Sequence, residues 1–183
     1  MKLFYQLIFV FVFSSLIAQT EEWQTYNSGN SGLSHNWINS LALDMNDVLW
    51  IGTAGGGMSS FDGIDWKRYV TSNSEIPGNY INSIIIDENN HKWIGDNSNG
   101  LAKLDDTNPE SENWEVFNKE NSNIPSNVIL SLMFDQNNTL CIGHEIGFST
   151  YNGEEWTLYD KNNYPYPHLT NVTALAEESS GKL

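Results

Sequence analysis

The chain is poor in the residues that mark several function classes. Of its 183 residues only Cys141 is a cysteine, so an internal disulfide and a multi-cysteine zinc cluster are both excluded. Basic residues are scarce: 8 Lys and Arg stand against 23 Asp and Glu, a formal charge of −15. Nucleic-acid binding needs Lys and Arg clustered opposite phosphates, and this balance argues against it. Past the N-terminus no apolar run approaches the roughly 20 residues that cross a bilayer. Gly-x-Ser-x-Gly, His-Glu-x-x-His, the phosphate loop and the dinucleotide fingerprint are all missing, so no cofactor is implied. Aromatics, in contrast, make up 13% of the chain and include seven Trp, more than a disordered chain carries. This is the composition of an aromatic-rich, all-β protein.

Residues 1–18 read as a secretory signal. Lys2 supplies the positive end, the run from Leu7 to Phe13 the apolar core, and Ser14, Ser15 and Ala18 the small residues before a cleavage site. A membrane anchor is the competing reading, and the run is too short for it. The expected product begins near Gln19 and is exported, either periplasmic or secreted.

A repeat organises the remainder, residues 19–183. Asn36 to Asp44 is followed by Leu49-Trp50-Ile51-Gly52, Asn79 to Asp87 by Lys92-Trp93-Ile94-Gly95, and Asn127 to Asp135 by Leu140-Cys141-Ile142-Gly143. The equivalent residues Asp44, Asp87 and Asp135 recur 43 and 48 positions apart. A second signature, Trp-x-x-aromatic, closes each unit at Trp66–Tyr69, Trp114–Phe117 and Trp156–Tyr159. Asp62-Gly63 and Asn152-Gly153 have two-residue hairpin chemistry. Each unit therefore reads as four short antiparallel strands, and a 40-odd-residue repeat of four strands describes a propeller blade. A β-solenoid is the rival, but its coils are shorter; a helical repeat lacks the 3.6-residue period. The expected fold is an incomplete β-propeller with blades at about 36–70, 79–118 and 127–160. A lone outer strand at 23–26 and a lone inner strand at 171–176 would flank them. Three blades fall below the usual minimum of about four, so the expectation is a truncated chain whose ring needs remaining blades or another chain.

These motifs, with Ile-Pro-x-Asn at Ile76–Asn79 and Ile124–Asn127, resemble the two-component regulator propeller repeat over essentially all of residues 23–183. Cys141 departs from the pattern where Trp50 and Trp93 fit it. The resemblance implies an extracytoplasmic sensor region of a hybrid two-component system, non-catalytic, with an oligosaccharide or another extracytoplasmic ligand as its partner. Related repeats also occur in secreted proteins without a kinase, so a structural or protein-interaction module is the alternative, and a propeller lyase or glycosidase fragment a further one.

The recurring Trp residues are expected to pack between blades, with Cys141 as a small apolar member of that layer. Asp44, Asp87 and Asp135 are expected to cap turns; Asp44-x-Asn46-Asp47 lacks the rest of a calcium loop, and no metal site is assigned. Connections from fourth to first strand and from second to third emerge on one face. That face would collect His35, Asn36 and Trp37, then Asn79 and Tyr80, Asp96 and Asn97, and finally His144 and Glu145. Trp37 and Tyr80 share one repeat position, occupied by Val128 and Val172 elsewhere. Exposed aromatics there could stack on sugar rings while Asn, Asp and His bond hydroxyls; the plainer reading makes them a lid on the core. His144 beside Glu145 is a weak acid/base candidate, because neighbours on an extended strand point to opposite faces. No catalytic residue is assigned.

Overall fold

The computed structural model describes residues 23–108, 111–163 and 169–178; the signal segment lies outside them. The described residues hold twelve strands in three four-stranded antiparallel sheets. Blade 1 comprises β1 (Ile38–Leu43), β2 (Leu49–Thr53), β3 (Met58–Phe61) and β4 (Trp66–Tyr69). Blade 2 comprises β5 (Ile81–Ile86), β6 (Lys92–Asp96), β7 (Leu101–Asp105) and β8 (Asn113–Phe117). Blade 3 comprises β9 (Ile129–Phe134), β10 (Leu140–His144), β11 (Gly147–Tyr151) and β12 (Trp156–Tyr159). Strands pair in sequence order within each sheet, the sheets stack, and they do not close into a ring.

The strand-ending aspartates make the turns. Asp44 Oδ1 accepts from the backbone N–H of Asn46 and Val48 at 2.9 and 3.0 Å. Asp87 does the same for Asn89 and His91, and Asp135 for Asn137 and Thr139. These bonds hold the last turn residue in the left-handed region, at Asp47, Asn90 and Asn138, which Asn and Asp tolerate best. The other oxygen does a second job: Asp44 Oδ2 and Asp87 Oδ2 each accept from the indole N–H of Trp50 and Trp93 at 3.0 Å. The spacing from Asp to Trp thus fixes the turn and orients the ring. Cys141 leaves the third unit without that bond.

Blade-to-blade contact depends on the glycine of Trp-Ile-Gly. A Cβ at Gly52 would stand 2.7 Å from Ile81 Cγ2, and one at Gly95 would stand 2.5 Å from Ile129 Cγ2. Each inner strand therefore rests directly on the backbone of the preceding blade. Ile81 and Ile129 become fully buried there, each a gain of about 1.5–3 kcal/mol. A β-bulge follows at Asn39 and Asn82 and swings the side chain out of the pleat. Asn39 Nδ2 then donates to Ile81 O at 3.0 Å, and Asn82 Nδ2 to Ile129 O at 2.8 Å. The third unit has Leu130 at this position.

A buried ion pair spans blades 1 and 2. Lys92 has no solvent exposure; its Nζ lies 3.0 Å from Asp44 Oδ2, 2.5 Å from Asp106 Oδ1 and 4.9 Å from the centroid of the Trp50 ring. The closing tryptophans add an outer seam. Trp114 meets Tyr69 of blade 1 at 6.0 Å and 59°, and Trp156 meets Phe117 of blade 2 at 5.8 Å and 65°.

The two flanking segments differ from expectation. Neither 23–26 nor 171–176 forms a strand, yet each docks where a blade edge would. Tyr26 meets Trp66 at 5.5 Å and 61°, repeating the geometry of the outer seam without a ladder. Val172 lies over Gly143, its N–H donating to His144 O and its carbonyl accepting from Ser131 Oγ. It sits one position before the repeat register, in which Thr173 matches Ile81 and Ile129. Asn171 at φ 51° interrupts the extended backbone that a strand requires.

Two outcomes test this account of the junctions. Gly95→Ala forces a methyl group onto Ile129 and is expected to cost about 1–3 kcal/mol, seen as a melting temperature roughly 3–10 °C lower; an unchanged melt contradicts it. Lys92→Leu, which copies Leu140 of blade 3, strands Asp44 and Asp106 and is expected to cost about 3 kcal/mol. Adding Asp106→Gly, which copies Gly153, recovers part of that loss in chemical denaturation.

Candidate functional site

The connections β2–β3 and the approaches to each inner strand gather on one face. His35 Nδ1 accepts from the Trp37 N–H at 3.1 Å, and Asn36 Oδ1 accepts from Ser28 N–H at 2.7 Å. These bonds shape the approach to β1 and leave the Trp37 ring 67% exposed. Trp37 O accepts from Ala54 N–H, and Ala54 bridges to Tyr80, which is 42% exposed. The two aromatics therefore flank one residue of blade 1. Asn79 braces the same junction: its carbonyl accepts from Gly55 and Gly57, and its Oδ1 from Thr71 N–H.

Asp96 is not available to a ligand. It is fully buried, and Oδ1 accepts from the N–H groups of Ser98 and Asn99 and from Asn99 Nδ2 at 2.8–2.9 Å. Oδ2 accepts from Tyr80 N–H at 3.2 Å. The carboxylate builds the β6–β7 loop and fastens Tyr80 to it. Asn97 beside it is exposed; its N–H donates to Tyr80 O and its Oδ1 accepts from Asn82 Nδ2.

His144 is likewise a correction, because its ring is fully buried at the end of β10. Glu145 is half-buried, and its Oε2 accepts from Ser126 Oγ at 2.5 Å. The enclosed imidazole is out of a substrate's reach, and the carboxylate beside it is tied to Ser126. Among the described residues no hydrogen bond links His144 or Glu145 to the Trp37–Tyr80 group. The exposed part of the face is thus His35, Asn36, Trp37, Tyr80 and Asn97. Sequence reasoning missed Asn82, which joins Asn97 to the inner strand of blade 3; its constant position before Ser83, as Asn39 before Ser40, was the available signal.

Residues 32–55 match the family model described as two component regulator propeller. Sequence comparison with curated proteins finds no match. The fold is similar to part of the extracellular domain of the putative hybrid two component system BT3049 from B. thetaiotaomicron, with a TM-score of 0.74 and 23% identity over 87% of this chain. The corresponding domain of BT4673 from the same organism gives 0.63 and 21% over 80%. PorZ of Porphyromonas gingivalis, a surface component of the type-IX secretion system, gives 0.50 and 27% over 65%. The chain spans about a fifth of each: 22%, 19% and 18% of their lengths. Among the described residues no helix is long and apolar enough to cross a membrane.

The buried His144 carries a pH dependence. Both ring nitrogens and Ser149 Oγ lack a hydrogen-bond partner among the described residues. Burial pushes the imidazole below its ordinary pKa, against a smaller upward pull from Glu145. A base whose pKa falls on folding binds more protons when unfolded, so stability is full above about 6.5 and declines as pH falls through that value. Melting temperature is expected to drop between pH 7 and 5 in the native chain. His144→Thr, which copies Thr53 of blade 1, should flatten that segment while leaving the carboxylate-driven loss below about pH 4. A native melt independent of pH from 7 to 5 contradicts the assignment.

Proposed function

We propose that this chain, which carries a two-component regulator propeller repeat at residues 32–55, is an extracytoplasmic ligand-binding part of a sensor propeller. It is non-catalytic, and its ligand is a glycan. The observation that carries the reading is an exposed indole on a face where every neighbouring polar group is held in place. Trp37 projects beside Tyr80 with His35, Asn36 and Asn97 around it. An exposed aromatic platform with fixed amide groups suits a pyranose, whose C–H face stacks while its hydroxyls take hydrogen bonds. The likeness to extracellular domains of hybrid two-component systems supports the placement outside the cytoplasm and the sensing role. Export through residues 1–18 belongs to the same reading.

A second reading has its own support. The likeness to PorZ, a bacterial surface component, favours a secreted interaction module without signalling.

The test is a thermal-shift and calorimetric screen of the exported chain against plant, algal and host oligosaccharides. Saturable stabilisation by a defined glycan is expected, weakened about tenfold in Trp37→Ala with the unliganded melt unchanged. No response across the panel sinks the glycan reading and leaves the interaction module. Release of new reducing ends would instead make the protein an enzyme.

A further inference from the structure

The two blade junctions differ at one place on the opposite face, that of the β1–β2 and β3–β4 turns. At the junction of blades 1 and 2, Lys92 puts its ammonium over the Trp50 ring between Asp44 and Asp106. At the junction of blades 2 and 3 the repeat places Leu140 where Lys92 stood and Gly153 where Asp106 stood. No side chain from blade 3 brings a cation there. Both junctions open a cleft on this face: that between blades 1 and 2, about 300 Å³, has Lys67 in its lining, and that between blades 2 and 3, about 260 Å³, is walled by Trp93, Phe117, Phe134 and Tyr151.

The rings and the charges together select the occupant. Phe134 meets Trp93 at 80°, Tyr151 meets Trp93 at 62°, and Phe117 meets Tyr151 at 57°, with centroids 5.6–6.4 Å apart, while Phe117 lies nearly parallel to Trp93 at 6.0 Å and 12°. Aromatic walls of this kind attract a cationic head group through the ring quadrupole. The polar lining has the matching sign. Asp87, Glu88 and Glu115 line the cavity with one cation, Lys103. Glu115 replaces the equivalent Lys67 of blade 1, a reversal of charge. Asn138 Nδ2 of blade 3 donates to Glu88 Oε2 at 2.7 Å, fixing one carboxylate at the cleft. Lys103 reaches only 5.5 Å from the Trp93 centroid and, among the described residues, makes no ion pair with a carboxylate.

We propose that the cleft between blades 2 and 3 binds the head group of an organic cation, an alkylammonium or guanidinium ion. The head group takes the place that Lys92 fills one junction earlier, against indole and carboxylate. Lys103 is its resident competitor. The site is separate from the Trp37–Tyr80 face and does not rest on the glycan reading.

The experiment is a titration of the whole exported chain, followed by NMR at the Trp93 indole N–H, assigned with Trp93→Phe. The probes are n-butylammonium, n-butylguanidinium, neutral butan-1-ol and a Gly-Lys-Gly peptide blocked at both ends. Saturable shifts at millimolar concentration are expected for the cations and not for the alcohol. Glu115→Gln should weaken binding about three- to tenfold, and Lys103→Met should tighten it by a similar factor. The gain in Lys103→Met separates the site from general damage to the fold. Tighter binding of the peptide than of butylammonium makes the source a basic side chain of a polypeptide; equal or weaker binding makes it a free amine. An equal response to butan-1-ol, no saturation by either cation, or no gain in Lys103→Met overturns the proposal.

Discussion

An inner strand lying on bare glycine backbone is the constraint from which the rest of this structure follows. Ile81 over Gly52 and Ile129 over Gly95 leave no room for a single methyl group. Sheets that approach this closely need large rings to fill the wider space toward their outer strands, because twisted sheets splay. Trp50 and Trp93 fill it, and the closing tryptophans seal the edge. The bulge at Asn39 and Asn82 follows from the same approach, since a side chain forced out of the pleat there lands on the carbonyl of the residue that sits on the glycine.

Such close contact removes carboxylates from water, and each blade offsets that cost with hydrogen bonds. Burial alone would raise the pKa of Asp44 and Asp87, yet indole and backbone N–H groups outweigh it and hold both below the ordinary carboxylate value. The further partner differs: the ammonium of Lys92 from the next blade serves Asp44, while the ring of His91, from the same blade, lies 2.9 Å from Asp87 Oδ2. The backbone bonds of the turn are constant across the three units, the indole bond is present in the first two, and the further partner of the aspartate differs between those two.

Much of the architecture was legible because the repeat displays the same strand pattern three times. Asp-Asn turns, Trp-Ile-Gly and Trp-x-x-aromatic each mark a strand end, and all twelve strands fall where those marks place them. The indole bond to aspartate was not legible, since spacing along the chain does not reveal which oxygen is free. The flanks were misread for a related reason: Trp23–Tyr26 and Val172 carry strand chemistry, but a strand also needs a partner to pair with. Among the candidate residues, Trp37 and Tyr80 are exposed. Asp96 and His144 are not, because both occupy the last position of a second strand, where Thr53 is also buried. That triplet, read down the repeat, marks an inward position that accepts any side chain able to be enclosed.

The blade junction is therefore the unit of stability. In a stack of repeats each junction contributes its own interface energy, and the exposed Leu41 of blade 1 shows what an unmatched inner strand presents, since the matching Ile84 and Leu132 are buried. A ligand held by groups from two blades adds its binding energy to that one junction, by RT ln(1 + [L]/Kd). The Trp37–Tyr80 group and the aromatic cleft both satisfy that condition, the first through Ala54 across blades 1 and 2, the second through walls from blades 2 and 3.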